Sequence, residues 1–117
     1  MKTKIIFLFF LSVLLSGCYN EAKVRVTNNV HNVRLDNISF SNIRIGSNLY
    51  PGATTETTIS DAYKDISFPL SSQLEFYMVK GEQRVYLRTK KYYSVDKDET
   101  LTIVIADDTE LINPMKE

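Results

Sequence analysis

Between Leu74 and Thr89 one strand pairing satisfies every residue. Gly81-Glu82 reads as a two-residue loop, with glycine first as a type II′ turn requires. Pairing outward from Lys80 and Gln83 sets Met78 opposite Val85, Phe76 opposite Leu87 and Leu74 opposite Thr89. That is the expected core face, with Val85 and Leu87 committed to the interior. On the other face Tyr77 meets Tyr86 and Glu75 meets Arg88. An apolar set, an aromatic pair and an opposite-charge pair agree on this register, each pair contributing roughly 0.2–1 kcal/mol. A slip by one residue would send Phe76 and Leu87 to water. A chain built around this segment is committed to antiparallel sheet.

The flanking sequence repeats the period of two. Val24 and Val26 alternate with Lys23, Arg25 and Thr27, and Asn28-Asn29 reads as a turn. Val33, Leu35, Ile38 and Phe40 continue as apolar positions, but the phase slips after Leu35, which predicts a bulge near Asp36-Asn37. A second slip predicts a bulge or turn at Ser41-Asn42, before Ile43 and Ile45. Gly46 to Gly52 reads as a loop with Pro51-Gly52 as its turn. Thr54, Thr55, Thr57, Thr58 and Ile59 are strand formers. Ser60 to Lys64 reads as a short helical turn, and Ile66 with Phe68 as a strand stopped by Pro69. Asp96 to Glu99 forms a turn before the last strand, Thr100 to Ala106, which Asp107-Asp108 ends. That strand has apolar residues on both faces and is expected to be central. No segment after residue 18 holds a helical period. The expected fold is all-β, a single antiparallel β-sandwich of about seven strands.

The N-terminus is of another kind. Lys2 and Lys4 precede an apolar run from Ile5 to Leu15, and Ser16 and Gly17 supply small residues before Cys18. A basic start, an apolar middle and a small-residue end make a secretory signal. The run has 11 positions, about 16 Å at helical rise, and a hydrocarbon core needs about 30 Å. Length therefore favours a secretory signal over a membrane-spanning helix. Leu15-Ser16-Gly17-Cys18 resembles the lipobox of bacterial lipoproteins. The resemblance implies cleavage before Cys18 and lipidation of its thiol, with the bilayer as a partner. It implies a signal helix over 1–17, a tether over 18–22, a sandwich over 23–113 and a tail over 114–117. It also implies localisation to the cell envelope: the outer membrane in a two-membrane host, otherwise the outer face of the plasma membrane. Two or more acyl chains hold such an anchor stably.

The mature chain resembles small immunoglobulin-like or transthyretin-like modules. Val24-Arg25-Val26-Thr27-Asn28-Asn29, Leu49-Tyr50-Pro51-Gly52-Ala53-Thr54 and Leu101-Thr102-Ile103-Val104-Ile105 carry that resemblance. A cysteine pair around a tryptophan, the mark of true immunoglobulin domains, is absent.

Composition narrows function. Residues 18–117 are enough for one domain. They hold 12 of the 14 basic residues, Lys2 and Lys4 falling in the signal, against all 14 acidic ones. A formal charge of −2 gives no electrostatic reason to bind nucleic acid. Cys18 is the only cysteine, so no disulfide or thiolate metal site is expected. His31 is the only histidine, beside an expected turn, and reads as an exposed loop residue rather than a catalytic base. Asp96, Asp98 and Glu99, and Asp107 and Asp108, read as solvated turn charges. A calcium site would need the sandwich to bring Asp96, Asp98 and Asp107 together. No catalytic residue, metal or cofactor is assigned.

The candidate binding face is the outer face of the hairpin. Alternation puts Arg84, Tyr86, Arg88 and Lys90 on one side, Tyr77 adds a ring opposite Tyr86, and Tyr92 lies at the edge. Arg88 is expected to be held by Glu75, leaving Tyr77, Arg84, Tyr86, Lys90 and Tyr92 as ligand residues on a flat aromatic surface. Cations beside exposed rings suit an anionic glycan, a lipid headgroup or a protein partner. The expected function is a lipid-anchored, non-catalytic binding or structural element of the envelope. An adhesin or host-factor binder displayed on the surface is the alternative.

Overall fold

The computed structural model describes residues 19–116 apart from Lys64. The signal segment and Cys18 lie outside the described residues. Ten strands are present: β1 (Glu21–Asn29), β2 (Arg34–Phe40), β3 (Ile43–Gly46), β4 (Thr54–Ser60), β5 (Leu70–Ser72), β6 (Leu74–Lys80), β7 (Gln83–Thr89), β8 (Tyr93–Val95), β9 (Thr100–Ala106) and β10 (Leu111–Ile112). Seven of them have four or more residues. Pro114–Lys116 adds one turn of 3-10 helix. The fold is an all-β sandwich.

One sheet has the order β4-β1-β9, a second the order β10-β7-β6-β2-β3, and β5 pairs with β8 apart from both. Val24, Val26, Ile59, Ile103 and Ile105 from the first sheet and Leu35, Ile38, Phe40, Leu74 and Phe76 from the second are buried in one core. Burying a large apolar side chain contributes about 1.5–3 kcal/mol, and this set spans both sheets, so the core is what joins them.

The hairpin register is the expected one: Glu75 pairs with Arg88, Phe76 with Leu87, Tyr77 with Tyr86 and Met78 with Val85. Gly81 turns it at φ 60°. Its tip differs from expectation. Lys80 to Val85 are all exposed, Val85 at 40%. Met78 stands opposite Val85, but the cover at the tip is too thin to bury it.

The first phase slip is a bulge. Asp36 pairs with Tyr77 and Ser39 with Glu75, so β2 carries one extra residue there, with Asn37 at φ 49°. The second slip is a two-residue turn, Ser41 at φ 52° and Asn42 at φ 65°, closing β2 onto β3. Asparagine and serine tolerate the left-handed region because their short side chains bond locally.

Four expectations are corrected. Asn28 and Asn29 belong to β1, and the turn falls at His31-Asn32. Asn28 is buried, donating Nδ2 to the carbonyls of Val33 (2.7 Å) and Leu49 (2.9 Å) and accepting from the Val30 N–H (2.9 Å). A carboxamide so satisfied is stable inside a core. Ile66 and Phe68 lie in irregular chain, and the strand begins after Pro69, which has no N–H to give a ladder. Ser60 is the last residue of β4, and residues 61–63 form a turn and bend rather than a helical turn. β9 is an edge strand: its one ladder is a parallel pairing with β1, which takes the central place. Leu101, Ile103 and Ile105 face inward, and Val104 is 45% exposed.

The chain enters at one pole of the sandwich. Asn20 gives its backbone N–H and side-chain amide to the two Asp61 carboxylate oxygens (2.8 and 3.0 Å), and the Asp98 N–H bonds the Glu21 carbonyl (2.7 Å). β1 begins inside the stretch read as a tether, with Ala22 already buried. Its nine residues carry the chain about 30 Å to the opposite pole. There Asn28 is bonded to Gly52 and Ala53, which places the Tyr50–Gly52 turn and the start of β2.

Candidate binding face

The outer face of the second sheet is built in rows across the strands. Arg34 on β2 lies in register with Val79 on β6, and Val79 with Arg84 on β7. Two residues along, Asp36 is in register with Tyr77, and Tyr77 with Tyr86. Alternation of side chains places these residues on one face.

Asp36 organises the face. Its carboxylate takes two hydrogen bonds from the Arg34 guanidinium, Nε to Oδ1 and Nη2 to Oδ2, both 3.0 Å. The Asn48 backbone N–H adds a third at 3.0 Å. Arg84 Nη1 stands 3.4 Å from Oδ2. The carboxylate side chain is 8% exposed, the Arg34 and Arg84 side chains 32% and 45%. Burial works against its ionisation, but the Arg34 and Asn48 hydrogen bonds and the two positive charges outweigh it and hold the Asp36 carboxyl below its ordinary value. The same ion pair raises the Arg34 guanidinium, with a smaller share from the neighbouring Tyr50.

Each guanidinium also meets a ring. Arg84 Cζ lies 4.1 Å from the Tyr77 ring centroid and Arg34 Cζ 5.9 Å from that of Tyr50. To reach Asp36 from β7, Arg84 passes over β6, and Tyr77 lies beneath it. Tyr50 is delivered by the turn after Leu49, whose backbone exchanges two 2.9 Å hydrogen bonds with Leu35. Tyr50 is exposed, at 57%.

The five expected ligand residues separate. Tyr77, Arg84 and Tyr86 come together. Lys90 lies past the far end of β7, six positions from Arg84 or about 20 Å of strand. Its Nζ is 3.4 Å from a Glu110 carboxylate oxygen, and Lys91, not Lys90, stands over an aromatic ring, that of Tyr93 at 5.2 Å. Tyr92 is exposed outside the strands, at 65%.

The expected flat aromatic surface is also absent from the described residues. The Tyr77 and Tyr86 rings are tilted by 48° at 5.2 Å, and Arg84 covers one of them. Tyr86 is half-buried and donates its hydroxyl to Glu75 Oε2 at 2.7 Å. Burial and the neighbouring Glu75 carboxylate push the Tyr86 phenol up to about 12. Glu75 therefore serves Tyr86 rather than Arg88. Arg88 Nε is buried with no hydrogen-bond partner among the described residues.

Arg34, Asp36 and Tyr50 were not assigned from sequence. Arg34-x-Asp36 was legible as a same-face pair one strand over. Nothing in the sequence joined it to Arg84, since that needs the β2–β6 register.

The acidic clusters do not converge. Asp96 and Asp98 precede β9 and Asp107 follows it, with seven residues of strand, about 23 Å, between them. His31 is exposed, and its backbone N–H donates to Asp107 Oδ1 at 3.0 Å. Comparison with protein-family models, with curated proteins and with solved structures finds no match for this chain.

Proposed function

We propose that this chain is a lipid-anchored envelope lipoprotein whose sandwich is a non-catalytic binding module for an anionic group. The ligand face is Arg34, Tyr50, Tyr77 and Arg84. The observation that carries the reading is the Asp36 clamp: one carboxylate holds two guanidiniums, each beside a tyrosine ring. Two cations against one anion leave a positive excess, and the arginines are ordered before any ligand arrives, which lowers the entropy of capture. A guanidinium presents fixed donors suited to carboxylate, sulfate or phosphate.

The anchor supports the same reading by position. Cys18 is two residues before Asn20 in the sequence, and Asn20 is bonded to Asp61 at the pole where β1 starts. The face stands at the opposite pole, with the length of β1 between it and the bilayer. An anchored module of this kind offers its ligand residues away from the membrane that holds it.

Two measurements test the proposal. Cells fed labelled palmitate should label the wild-type protein and not Cys18→Ser. Label on the serine variant would overturn the anchor. The full chain in detergent should bind a sulfated oligosaccharide with an affinity that falls as salt rises, exposed charges being screened over about 8 Å at physiological ionic strength. The double variant Arg34→Ala/Arg84→Ala should lose that binding with its fold intact. Binding that survives the double variant would show the face to be a solvated sheet surface.

A further inference from the structure

A sandwich of two open sheets has four edges, and three of them are covered, shortened or charged. β3 and β4 face each other: Thr55 and Thr57 donate their hydroxyls to the Ile45 carbonyl at 3.3 and 2.8 Å. β10 is two residues long and pairs only with Arg88 and Thr89, and the rest of the β7 edge, Gln83–Leu87, carries a charge at Arg84. The fourth edge is β9, seven residues, hydrogen-bonded on one side to β1.

The phase of that ladder tells which groups face outward. The Lys23 N–H donates to the Glu99 carbonyl, and Lys23 is in register with Thr100. In a parallel ladder the backbone groups of Leu101, Ile103 and Ile105 then point to β1, and those of Thr100, Thr102, Val104 and Ala106 point away. Thr109 caps Ala106, its hydroxyl accepting from the Ala106 N–H and its own N–H donating to the Ala106 carbonyl. Thr100, Thr102 and Val104 remain, all exposed, and their N–H and C=O groups have no partner among the described residues.

Edges are ordinarily blunted by lysine, proline, a bulge or a short strand. Thr100–Ala106 has none of these: no charge, no proline, no glycine and a continuous seven-residue register with β1. The charges stand at its two ends instead, Asp96, Lys97, Asp98 and Glu99 before it, net acidic, and Asp107 and Asp108 after it. Those ends disfavour a second copy of the chain. An antiparallel self-pairing centred on Ile103 sets Asp98 opposite Asp108 and Glu99 opposite Asp107. A parallel one needs an offset of one residue, so that outward groups meet residues turned away, and sets Asp98 beside Glu99 and Asp107 beside Asp108. Like charges directly opposite destabilise a pair. The same ends favour a strand whose own flanks are basic.

We infer that the β9 edge is a strand-addition site that takes an extended segment of a partner protein, apolar or β-branched at its centre and lysine- or arginine-rich at both ends. Backbone hydrogen bonds to Thr100, Thr102 and Val104 supply the pairing, and the acidic ends set selectivity. This site lies on the three-stranded sheet and does not depend on the arginine face of the other sheet.

The test uses the full chain in detergent and a nine-residue peptide, alternating valine and threonine, with two lysines at each end. Backbone amide exchange is followed residue by residue. The amides of Thr100, Thr102 and Val104 should slow at least about tenfold at saturation, while those of Leu101, Ile103 and Ile105, already bonded to β1, keep their rates. A peptide with glutamates in place of the lysines should bind at least about tenfold more weakly, a difference of about 1.4 kcal/mol. Thr102→Pro removes an outward N–H without touching the β1 ladder and should abolish binding. N-methylation of alternate peptide amides should do the same without altering the protein. Unchanged exchange at the three residues with about 1 mM peptide, or equal binding of the acidic peptide, would overturn the inference. So would protection of the same amides that grows with protein concentration alone and is removed by Thr102→Pro, because the occupant would then be a second copy.

Discussion

Arg84 lies across the ring of Tyr77, its guanidinium carbon 4.1 Å from the ring centroid, with Nη1 3.4 Å from an Asp36 oxygen two strands away. Three strands are thereby tied on their outer face: β7 supplies the cation, β6 the ring and β2 the anion. The arrangement gives one carboxylate control of the whole candidate face.

Replacing that carboxylate should therefore be felt in stability and in its pH dependence. Asp36→Asn should cost about 1–3 kcal/mol at neutral pH, the range for stripping charged hydrogen bonds from partners that stay partly hydrated. The Asp36 carboxyl titrates lower in the folded chain than its ordinary 3.8. Its contribution is complete above that ordinary value and is lost as pH falls through the lower folded one. The melting curves of wild type and variant should converge on acidification from about pH 5 to about pH 2. A gap that stays constant would place the effect outside the carboxylate's charge.

The hairpin offers a paired test of burial. Phe76 is fully buried and Val85, in the same expected core row, is 40% exposed. Phe76→Ala should destabilise by about 3–5 kcal/mol, much of the total expected for a domain of this size. Val85→Thr should stay within about 0.5 kcal/mol. Urea midpoints for the two variants decide it, and equal losses would mean the tip is covered.

Gly46 is required by closeness rather than by its dihedral angle. A Cβ there would stand 2.6 Å from Thr55 Oγ1 and 2.8 Å from its Cγ2. Gly46→Ala should push β3 and β4 apart at a cost of about 1–3 kcal/mol. Thr55→Ala removes both atoms, so the double variant should be more stable than the sum of the two single changes implies. Strict additivity in thermal unfolding would rule out this contact as the cause.

Tyr86 predicts an alkaline limit. Its phenol is raised to about 12, so the folded chain keeps a proton that the unfolded chain releases near 10. That stabilisation is complete below the unfolded value and is lost as pH rises through the folded one. Tyr86→Phe should show a shallower loss of stability between those two values, read as the difference from wild type. An identical alkaline slope would show that Tyr86 ionises like an exposed tyrosine.

The sequence was sufficient wherever the interaction is local or the period is two. The 74–89 register, the bulge after Asp36 and the Ser41-Asn42 turn all follow from alternation and from residues that accept left-handed backbone. The same local logic misread Asn28, because a buried asparagine and a turn asparagine look alike until the Val33 and Leu49 carbonyls arrive to bind it. It also placed a strand before Pro69, where two apolar residues reach the core from an irregular segment.

Which strands are neighbours was decided by tertiary structure alone. Nothing in Thr100–Ala106 says that it pairs in parallel with β1, 77 positions earlier at Lys23, so its two apolar faces read as central when it is an edge. Nothing in Arg34-x-Asp36 says that Arg84 will reach it across β6. Alternation assigns a residue to a face, because successive side chains point to opposite sides of a strand. It carries no information on what lies beside that face, because pairing partners are chosen by the burial of the whole core, to which every strand contributes at once.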